Sequence, residues 1–301
     1  MLKIIRIVTQ LLIIALALTA CKAAALTPQP TIFTPVEPAT STPSAQPTSM
    51  PTQLPVVIIA TKPAVSHSVL PARALNIVTF GDSLTQGDGD ESGLNGFPTR
   101  LADLIAVQRP GTQVINLGKS GWTSNDLIHG VNGEPATLPQ ALNAKPDIVL
   151  VWIGSNNLWY LYEYGPDPIT TEAEQQDLED FTASMDSILG QLSGSGAKIF
   201  VALLDDQSKR PVVANPPNPA EPAFSATTPD DLARMSEHVS ALNEIIIMKA
   251  ASYAAVTVDF YHTDIFTNPA TLYSDGNHPN IAGYELITDI WYTAIKPYLD
   301  K

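Results

Sequence analysis

The feature that most restricts the fold is an alternation, beyond Ala74, of short β-branched runs with longer stretches in which apolar residues recur at helical spacing. Strands that alternate with helices are joined by right-handed crossovers, which produces a parallel sheet covered by helices on both faces. We therefore predict one doubly wound α/β domain over residues 74–301. The predicted strands are 75–80, 113–117, 147–153, 198–204 and 255–258, and the predicted helices are 97–108, 136–144, 171–192, 230–253 and 280–298.

Two segments of this domain, 158–170 and 205–229, match neither period and are long for connections between strands and helices. The second contains six prolines and is predicted to be irregular. Both follow predicted strands, and in a doubly wound sheet the loops at the carboxyl ends of the strands surround the ligand crevice. We expect both insertions to shape a substrate site.

The N-terminus has the layout of a secretory signal peptide. Lys3 and Arg6 precede the apolar run 11–18, and small residues follow before Cys21. The segment 18–21, Leu-Thr-Ala-Cys, resembles the bacterial lipobox, whose cysteine becomes the lipidated first residue. We predict a signal peptide at 1–20 and lipidation of Cys21, which exports the chain to the cell surface or periplasm on a lipid anchor. The alternative is an uncleaved anchor, although the apolar run is about half of the ~20 residues that a membrane span requires.

Residues 21–73 are predicted to form a disordered tether between this cysteine and the domain, because Pro, Thr, Ser, Ala and Gln dominate 27–71, which includes ten prolines. Since Cys21 is the only cysteine, an intramolecular disulfide and a multi-cysteine zinc site are excluded. The formal net charge of −14 argues against nucleic acid as a partner, because phosphate recognition requires clustered Lys and Arg.

The first candidate site residue is Ser83, in the Gly-Asp-Ser-Leu segment 81–84 that ends the first predicted strand. A serine at a strand-to-helix turn projects its hydroxyl above the sheet, which is where nucleophilic catalysis requires it. The alternative is that this segment is an ordinary helix N-cap.

The second candidate is the Asp-Gly-Asn-His-Pro segment 275–279. Asp275 can turn back to accept the Nδ1 proton of His278, which leaves Nε2 free to act as a general base. The alternative is a plain turn, since Asp, Gly, Asn and Pro all favour turns.

Two further segments end strands at the same predicted edge of the sheet, namely Asn-Leu-Gly-Lys-Ser-Gly at 116–121 and Gly-Ser-Asn-Asn at 154–157. A glycine amide and an asparagine side-chain amide from these segments, beside the serine amide, would donate hydrogen bonds to a developing oxyanion. Each segment taken alone is equally typical of a tight glycine loop.

The four segments together, in this order along residues 81–279, resemble the signature blocks of the GDSL or SGNH hydrolases. The resemblance implies Ser83 as nucleophile, His278 as base and Asp275 as the residue that orients it. It also implies an oxyanion hole made by Ser83, Gly118 and Asn156. The implied fold is a flavodoxin-like three-layer α/β/α sandwich with a five-stranded parallel sheet. Asn157 departs from the pattern, because many members have aspartate there.

The implied reaction is ester hydrolysis through an acyl-serine intermediate, which requires no cofactor and no metal. Short-acyl or carbohydrate esters, small or polysaccharide, are the expected substrates, because the proline-rich, polar insertions suit them. The alternatives are a lysophospholipase or thioesterase, which would need a longer apolar channel, and a non-catalytic cell-surface binding module. The sequence does not specify an oligomeric state.

Other motifs are set aside. Residues 88–93 begin like a calcium loop, but Thr99 occupies the twelfth position, where glutamate is required. His262 is the rival base and is interpreted as structural, while His129 and His238 have no acidic residue at a useful spacing. Four aromatic residues could form a platform for a sugar ring, although the one within a strand, Trp152, is better explained as core; the others are Trp122, Trp159 and Tyr160.

Overall fold

The computed structural model describes residues 70–215 and 228–299. Within them, five parallel strands form one sheet in the order β2-β1-β3-β4-β5. The chain reverses its direction of winding between β1 and β3, and in this flavodoxin-like order the ligand crevice lies at that point. The predicted fold class is therefore confirmed. The strands are β1 Asn76–Gly81, β2 Gln113–Gly118, β3 Ile148–Trp152, β4 Lys198–Ala202 and β5 Val256–Val258.

Helices connect these strands. The described helices are α1 Ser83–Gln86, α2 Phe97–Ala106, α3 Ser124–His129, α4 Leu138–Asn143, α5 Ser155–Tyr164, α6 Thr171–Ser193, α7 Pro211–Ala214, α8 Pro229–Ser252 and α9 Ile281–Leu299, with 3₁₀ turns at Gln207–Lys209 and Pro269–Thr271. The two long helices α6 and α8 begin at threonine caps, since Thr170 accepts from the amide of Ala173 and Thr228 forms a capping box with Asp231.

The core lies on both sides of the sheet, as is expected where helices cover both faces of parallel strands. Every residue of β3 is buried, and its last residue, Trp152, is 0% exposed. The Trp152 ring stacks on Phe260 with ring centroids 4.2 Å apart and meets Trp291 of α9 at 6.1 Å. The interpretation of Trp152 as a core residue is thus confirmed.

The prediction that residues 158–170 contain no regular element is wrong in part. Residues 158–164 belong to α5, which begins at Ser155 directly after β3 and buries Leu158. The short helix α3 also lies where none was predicted. In the second insertion, the described part contains the 3₁₀ turn Gln207–Lys209 and α7, while 216–227 lie outside the described residues.

The N-terminal limit of the folded part lies before residue 74. Leu70 is 8% exposed and its N–H donates to the carbonyl of Tyr298 at 3.1 Å. Arg73 pairs with Asp147 at 2.7 Å. Residues 70–73, which their composition assigned to the tether, therefore contact the domain. The predicted signal peptide, Cys21 and the rest of the tether lie outside the described residues. In 70–215 and 228–299, no helix combines the length and apolar character needed to cross a bilayer.

Candidate active site

The turn between β1 and α1 presents the hydroxyl of Ser83 at the carboxyl edge of the sheet. Asp82 caps α1, because its side chain accepts from the amide of Leu84 at 3.0 Å. Gly81 allows β1 to approach β3 closely, since a Cβ there would lie 2.0 Å from the carbonyl oxygen of Trp152. Ser83 thus occupies the first position of a short capped helix at the centre of the sheet.

The loop after the second 3₁₀ turn brings His278 to this serine. Nε2 of His278 lies 3.1 Å from Oγ of Ser83, and Nδ1 lies 2.7 Å from Oδ2 of Asp275. The other carboxylate oxygen of Asp275 accepts from the amides of Asn277 and His278 at 2.8 and 3.0 Å. The structure therefore brings the three predicted residues into one hydrogen-bonded chain, with the tautomer that leaves Nε2 free to accept the hydroxyl proton.

The hydrogen-bond partners of Asp275 favour the ionised form of its carboxyl group. Burial alone would raise the pKa of this carboxyl, but the hydrogen bonds from the His278 ring and from the amides of Asn277 and His278 outweigh it. The net effect lowers the pKa of Asp275 below its ordinary value. Asp275 is therefore an ionised acceptor at neutral pH, able to stabilise the imidazolium that forms when His278 takes a proton.

Two of the three predicted oxyanion donors face the pocket beside Ser83. No residue of the described ranges accepts a hydrogen bond from the amide of Ser83. Asn156 lines the same pocket, and its Nδ2 donates to the carbonyl of Trp122 at 2.9 Å. Because a carboxamide nitrogen carries two hydrogens, the second remains available for an oxyanion.

The prediction that Gly118 is the third donor is wrong. Its amide donates to Oδ1 of Asn116 at 2.9 Å, and a Cβ at this position would lie 2.2 Å from the amide nitrogen of Gln86. Gly118 is the last residue of β2, paired with Gly81, so its role is the close packing of α1 on that strand.

The second glycine of this segment, Gly121, lines the pocket, whereas Gly118 does not. It has a positive φ of 78°, and its carbonyl accepts from the hydroxyl of Tyr160 at 2.9 Å. No hydrogen bond of the described residues uses its amide. The sequence signal was the second glycine of 116–121, which sequence analysis passed over in favour of the first.

Asn157 links two parts of the site. Its Oδ1 accepts from the amide of Ser124 at 3.0 Å, at the start of α3, while the neighbouring Asn156 holds Trp122. These two bonds fix the segment that carries Gly121 against the start of α5. An aspartate could accept the same hydrogen bond, which explains how asparagine replaces it here without loss of the contact.

A buried ion pair contacts the loop that carries Asp275 and His278. Arg210 is 2% exposed and makes two hydrogen bonds to Asp205, at 2.6 and 2.7 Å. Its third contact is to Oδ1 of Asn277 at 2.7 Å, and the amide of Val212 donates to the carbonyl of Gly276 at 3.0 Å. The insertion after β4 therefore holds the loop that carries the histidine. Sequence analysis missed Arg210, whose only signal was a lone arginine in a proline-rich insertion.

These residues surround a pocket of about 210 Å³. Ser83, Gly121, Asn156 and His278 line it, and both insertions contribute to its wall. From the first come Trp159, Tyr160 and Tyr164, and from the second come Gln207 and Arg210. Of the proposed aromatic platform, Trp159 and Tyr160 thus face the pocket, whereas Trp122 is buried at 5% exposure and does not line it.

The other histidines in the described part of the chain, His129, His238 and His262, make no hydrogen bond to Ser83. His262 pairs with Asp259 at 2.7 Å, and its side chain is 76% exposed. His238 has no acidic residue at a useful spacing along the sequence, but the fold supplies one, because Asp177 of α6 lies 2.8 Å from its Nε2. The partner comes from a neighbouring helix, so local spacing could not show it. Within the described residues, no group of three His, Cys, Asp or Glu side chains could hold a metal ion.

A second carboxyl, that of Asp82, is completely buried beside the site. One oxygen accepts from the amide of Leu84, and the other has no hydrogen-bond partner in the described ranges. Burial raises the pKa of Asp82 from 3.8 to about 7, although the Leu84 amide and the charges of Arg210 and His278 act in the opposite direction. This carboxyl therefore carries a proton in mildly acidic solution.

This shift predicts a pH dependence of stability. Between about pH 4 and pH 7, folded Asp82 keeps a proton that the unfolded chain has released, so its contribution is complete below pH 4 and is lost as the pH rises through 7. We expect wild type to lose free energy of unfolding over this interval relative to Asp82→Asn, which retains an oxygen for the Leu84 amide. Urea unfolding of both proteins at pH 4, 5, 6 and 7 measures the difference. A constant difference would contradict the buried-carboxyl assignment.

Known proteins are similar to this chain in sequence and in architecture. The sequence profile of the GDSL-like Lipase/Acylhydrolase family matches residues 79–286. A multidomain esterase from Ruminococcus flavefaciens is 22% identical over 255 residues, which cover 76% of this chain and 29% of that protein. The chain thus spans less than a third of the length of this curated relative.

Solved structures show the same fold. An acetylxylan esterase from Geobacillus stearothermophilus, solved as a catalytic variant, superposes with a TM-score of 0.52 at 19% identity, covering 75% of this chain and 95% of that one. A lipase/acylhydrolase from Enterococcus faecalis gives 0.51 at 22% identity, covering 75% and 97%. The family match includes every residue of the hydrogen-bonded chain from Ser83 to Asp275 and most of the sequence. The chain therefore belongs to the GDSL-like lipase/acylhydrolase family.

Proposed function

We propose that the protein hydrolyses carboxylic esters through an acyl-serine intermediate. The observation that carries the proposal is the pair of contacts made by one imidazole, 3.1 Å to the Ser83 hydroxyl and 2.7 Å to the Asp275 carboxylate. A base oriented by a carboxylate and hydrogen-bonded to a serine is the arrangement that activates a hydroxyl as a nucleophile. Membership of a lipase/acylhydrolase family supports the same chemistry.

The first half of the reaction forms the intermediate. His278 takes the proton of Ser83 as Oγ attacks the ester carbonyl, and the negative charge on the carbonyl oxygen meets the donors of Ser83, Gly121 and Asn156. Collapse of this tetrahedral species breaks the bond to the alcohol oxygen, which receives the proton from His278. The alcohol leaves, and the acyl group remains on Ser83.

The second half restores the enzyme. His278 takes a proton from a water molecule, whose oxygen attacks the acyl carbon through the same set of donors. The serine oxygen then leaves with the proton held by His278, and the carboxylic acid is released. Each proton transfer uses His278, so these steps require no metal and no organic cofactor.

The pocket favours short acyl groups or carbohydrate esters. A volume of about 210 Å³ is small for a ligand site. Its wall includes Ser120, Ser155 and Gln207 beside the proposed catalytic residues, and among the described residues Leu84 is the one aliphatic side chain that lines it. A lysophospholipase or thioesterase would need a longer apolar channel. The similarity to a solved acetylxylan esterase supports carbohydrate esters as substrates.

Turnover of two esters tests the proposal. We expect p-nitrophenyl acetate to be hydrolysed much faster than p-nitrophenyl palmitate, since the polar pocket has no room for a long chain. A fluorophosphonate probe should label Ser83. Preferred hydrolysis of the palmitate would favour the lysophospholipase alternative. No turnover of either ester and no labelling would favour a non-catalytic binding module.

The oxyanion assignment predicts a defect in Asn156→Ala. Removal of one preorganised donor should lower kcat roughly 10²- to 10³-fold, with a small change in KM, because the donor acts on the transition state. The matched control is Asn157→Asp, the adjacent residue, which keeps its acceptor for Ser124 and should retain activity within about threefold. Steady-state kinetics with p-nitrophenyl acetate measures both. Wild-type kcat in Asn156→Ala would remove Asn156 from the mechanism.

A further inference from the structure

Gln207 is a buried polar residue that the mechanism does not use. It lines the catalytic pocket and is 1% exposed. Within 70–215 and 228–299, neither its Oε1 nor its Nε2 has a hydrogen-bond partner. A buried carboxamide without partners is unfavourable in the free protein, because both atoms have lost water and gained nothing. Its position is therefore better explained by a ligand that supplies the missing donor and acceptor.

The turn that carries Gln207 is held in place from both sides. Asp206 accepts from the amide and hydroxyl of Ser208, at 3.2 and 2.6 Å, and from the hydroxyl of Ser236 in α8 at 2.6 Å. The carbonyl of Gln207 accepts from the amide of Arg210, whose side chain is fixed by its pair with Asp205. The backbone that carries Gln207 is thus held in place. Because its Oε1 and Nε2 are closed to solvent, the carboxamide meets a ligand in the pocket by turning about its side-chain bonds, and no loop has to be ordered first.

A second unpaired group lies in the same wall. Ser155 precedes Asn156 at the start of α5, is 7% exposed, and its Oγ has no hydrogen-bond partner among the described residues. Both Gln207 and Ser155 can donate and accept. Hydroxyl groups also donate and accept, so an alcohol with several hydroxyls can pair with all three unpaired atoms. The ester of a simple apolar alcohol has no hydroxyl to offer them.

Aromatic rings lie beside this polar wall at the pocket. Tyr160 and Tyr164 are 41% and 70% exposed, with ring centroids 5.7 Å apart. The tilted pair presents apolar surface next to the unpaired polar atoms. A sugar ring has a face of C–H groups and an edge of hydroxyls, so its two kinds of surface match those of the pocket.

We propose that Gln207 is a specificity-determining residue. Its carboxamide, together with the hydroxyl of Ser155, binds hydroxyl groups of a sugar that forms the alcohol part of the ester. This inference rests on the proposed esterase function and adds to it the residue that selects the alcohol. A site built to hydrogen-bond a substrate hydroxyl discriminates strongly against analogues that lack it. The selection therefore acts on the alcohol and not on the acyl group.

The test compares two acetate esters that differ in their alcohol, p-nitrophenyl acetate and acetylated xylo-oligosaccharides. In Gln207→Leu, kcat/KM for the sugar ester should fall roughly tenfold to a hundredfold, because two neutral hydrogen bonds are lost. For p-nitrophenyl acetate it should change less than about threefold. The melting temperature should not fall, since leucine replaces an unpaired buried amide. The control is Gln191→Leu, an exposed glutamine of α6 outside the pocket, which should match wild type with both esters.

Each other outcome overturns the inference in a distinct way. Equal losses with both esters would show that Gln207 supports the catalytic groups and does not bind the alcohol. Undiminished hydrolysis of the sugar ester by Gln207→Leu would remove the residue from recognition. A wild-type protein that hydrolyses p-nitrophenyl acetate but no sugar ester would refute the sugar as the alcohol part of the substrate. The proposed esterase activity would still stand. Loss of turnover with both esters in wild type, without labelling of Ser83, would refute the proposed function itself.

Discussion

Ser83→Ala is expected to lose about 10⁶-fold in kcat for ester hydrolysis, the scale of loss when a triad nucleophile is removed. The hydroxyl of Ser83 is the one that contacts Nε2 of His278, so no other described residue can take its place as the activated nucleophile. Residual turnover would come from the oxyanion donors and binding alone. The fold should not change, because Asp82 caps α1 and, among the residues that the structure describes, the Ser83 hydroxyl has its one hydrogen bond with His278.

Kinetics, probe labelling and calorimetry check this expectation together. Fluorophosphonate labelling should vanish in Ser83→Ala, and the melting temperature should stay within about 2 °C of wild type. Ser187→Ala is a suitable control, since this serine also follows an aspartate but lies on α6 outside the pocket. If Ser83→Ala kept a tenth of wild-type turnover, the acyl-serine mechanism would be refuted.

The sheet could be predicted because its strands carry a strong local signal. Strands buried on both faces appear as continuous apolar runs, as in β3, Ile148–Trp152. Helix α5 carries no such signal, because its aromatic residues fall into two pairs, 159 with 162 and 160 with 164, on different faces of the helix. Tertiary contacts stabilise it instead, through buried Leu158 and a hydrogen bond from Tyr162 to Glu174 of α6.

The contacts of the site likewise divide into those that local sequence predicts and those that depend on the tertiary fold. The contact between Asp275 and His278 is local, so turn chemistry alone predicts it. The contact between Ser83 and His278 joins residues 195 apart, and it follows from the rule that carboxyl ends of parallel strands share one edge. The choice between Gly118 and Gly121 depends on where β2 ends against β1, which no local pattern shows. Arg210 and Gln207 act through contacts across the fold, and the proline-rich insertion that carries them has no periodicity to predict its course.

The chain offers an internal comparison for the catalytic histidine. Asp259 and His262 repeat the spacing of Asp275 and His278, and in both pairs Nδ1 lies 2.7 Å from the carboxylate. In both pairs the histidine amide also donates to the same carboxylate, at 3.2 and 3.0 Å. The two motifs are thus alike in local geometry. They differ in surroundings, since the His278 ring contacts Ser83 whereas the His262 side chain is 76% exposed.

His278→Ala should therefore lose about as much kcat as Ser83→Ala, roughly 10⁶-fold, whereas His262→Ala should keep wild-type kinetics. Without Nε2, no group takes the hydroxyl proton during attack, and the alcohol leaves without a proton donor. Because nucleophile and base act as a unit, the double variant Ser83→Ala/His278→Ala should be no slower than either single variant. Additive losses in the double variant, or a comparable loss in His262→Ala, would show that His278 is not the base that activates Ser83. Steady-state kinetics of the four variants with p-nitrophenyl acetate decides between these outcomes, because the local Asp-His geometry is the same at both sites, whereas the His278 ring contacts Ser83 and the His262 ring is exposed.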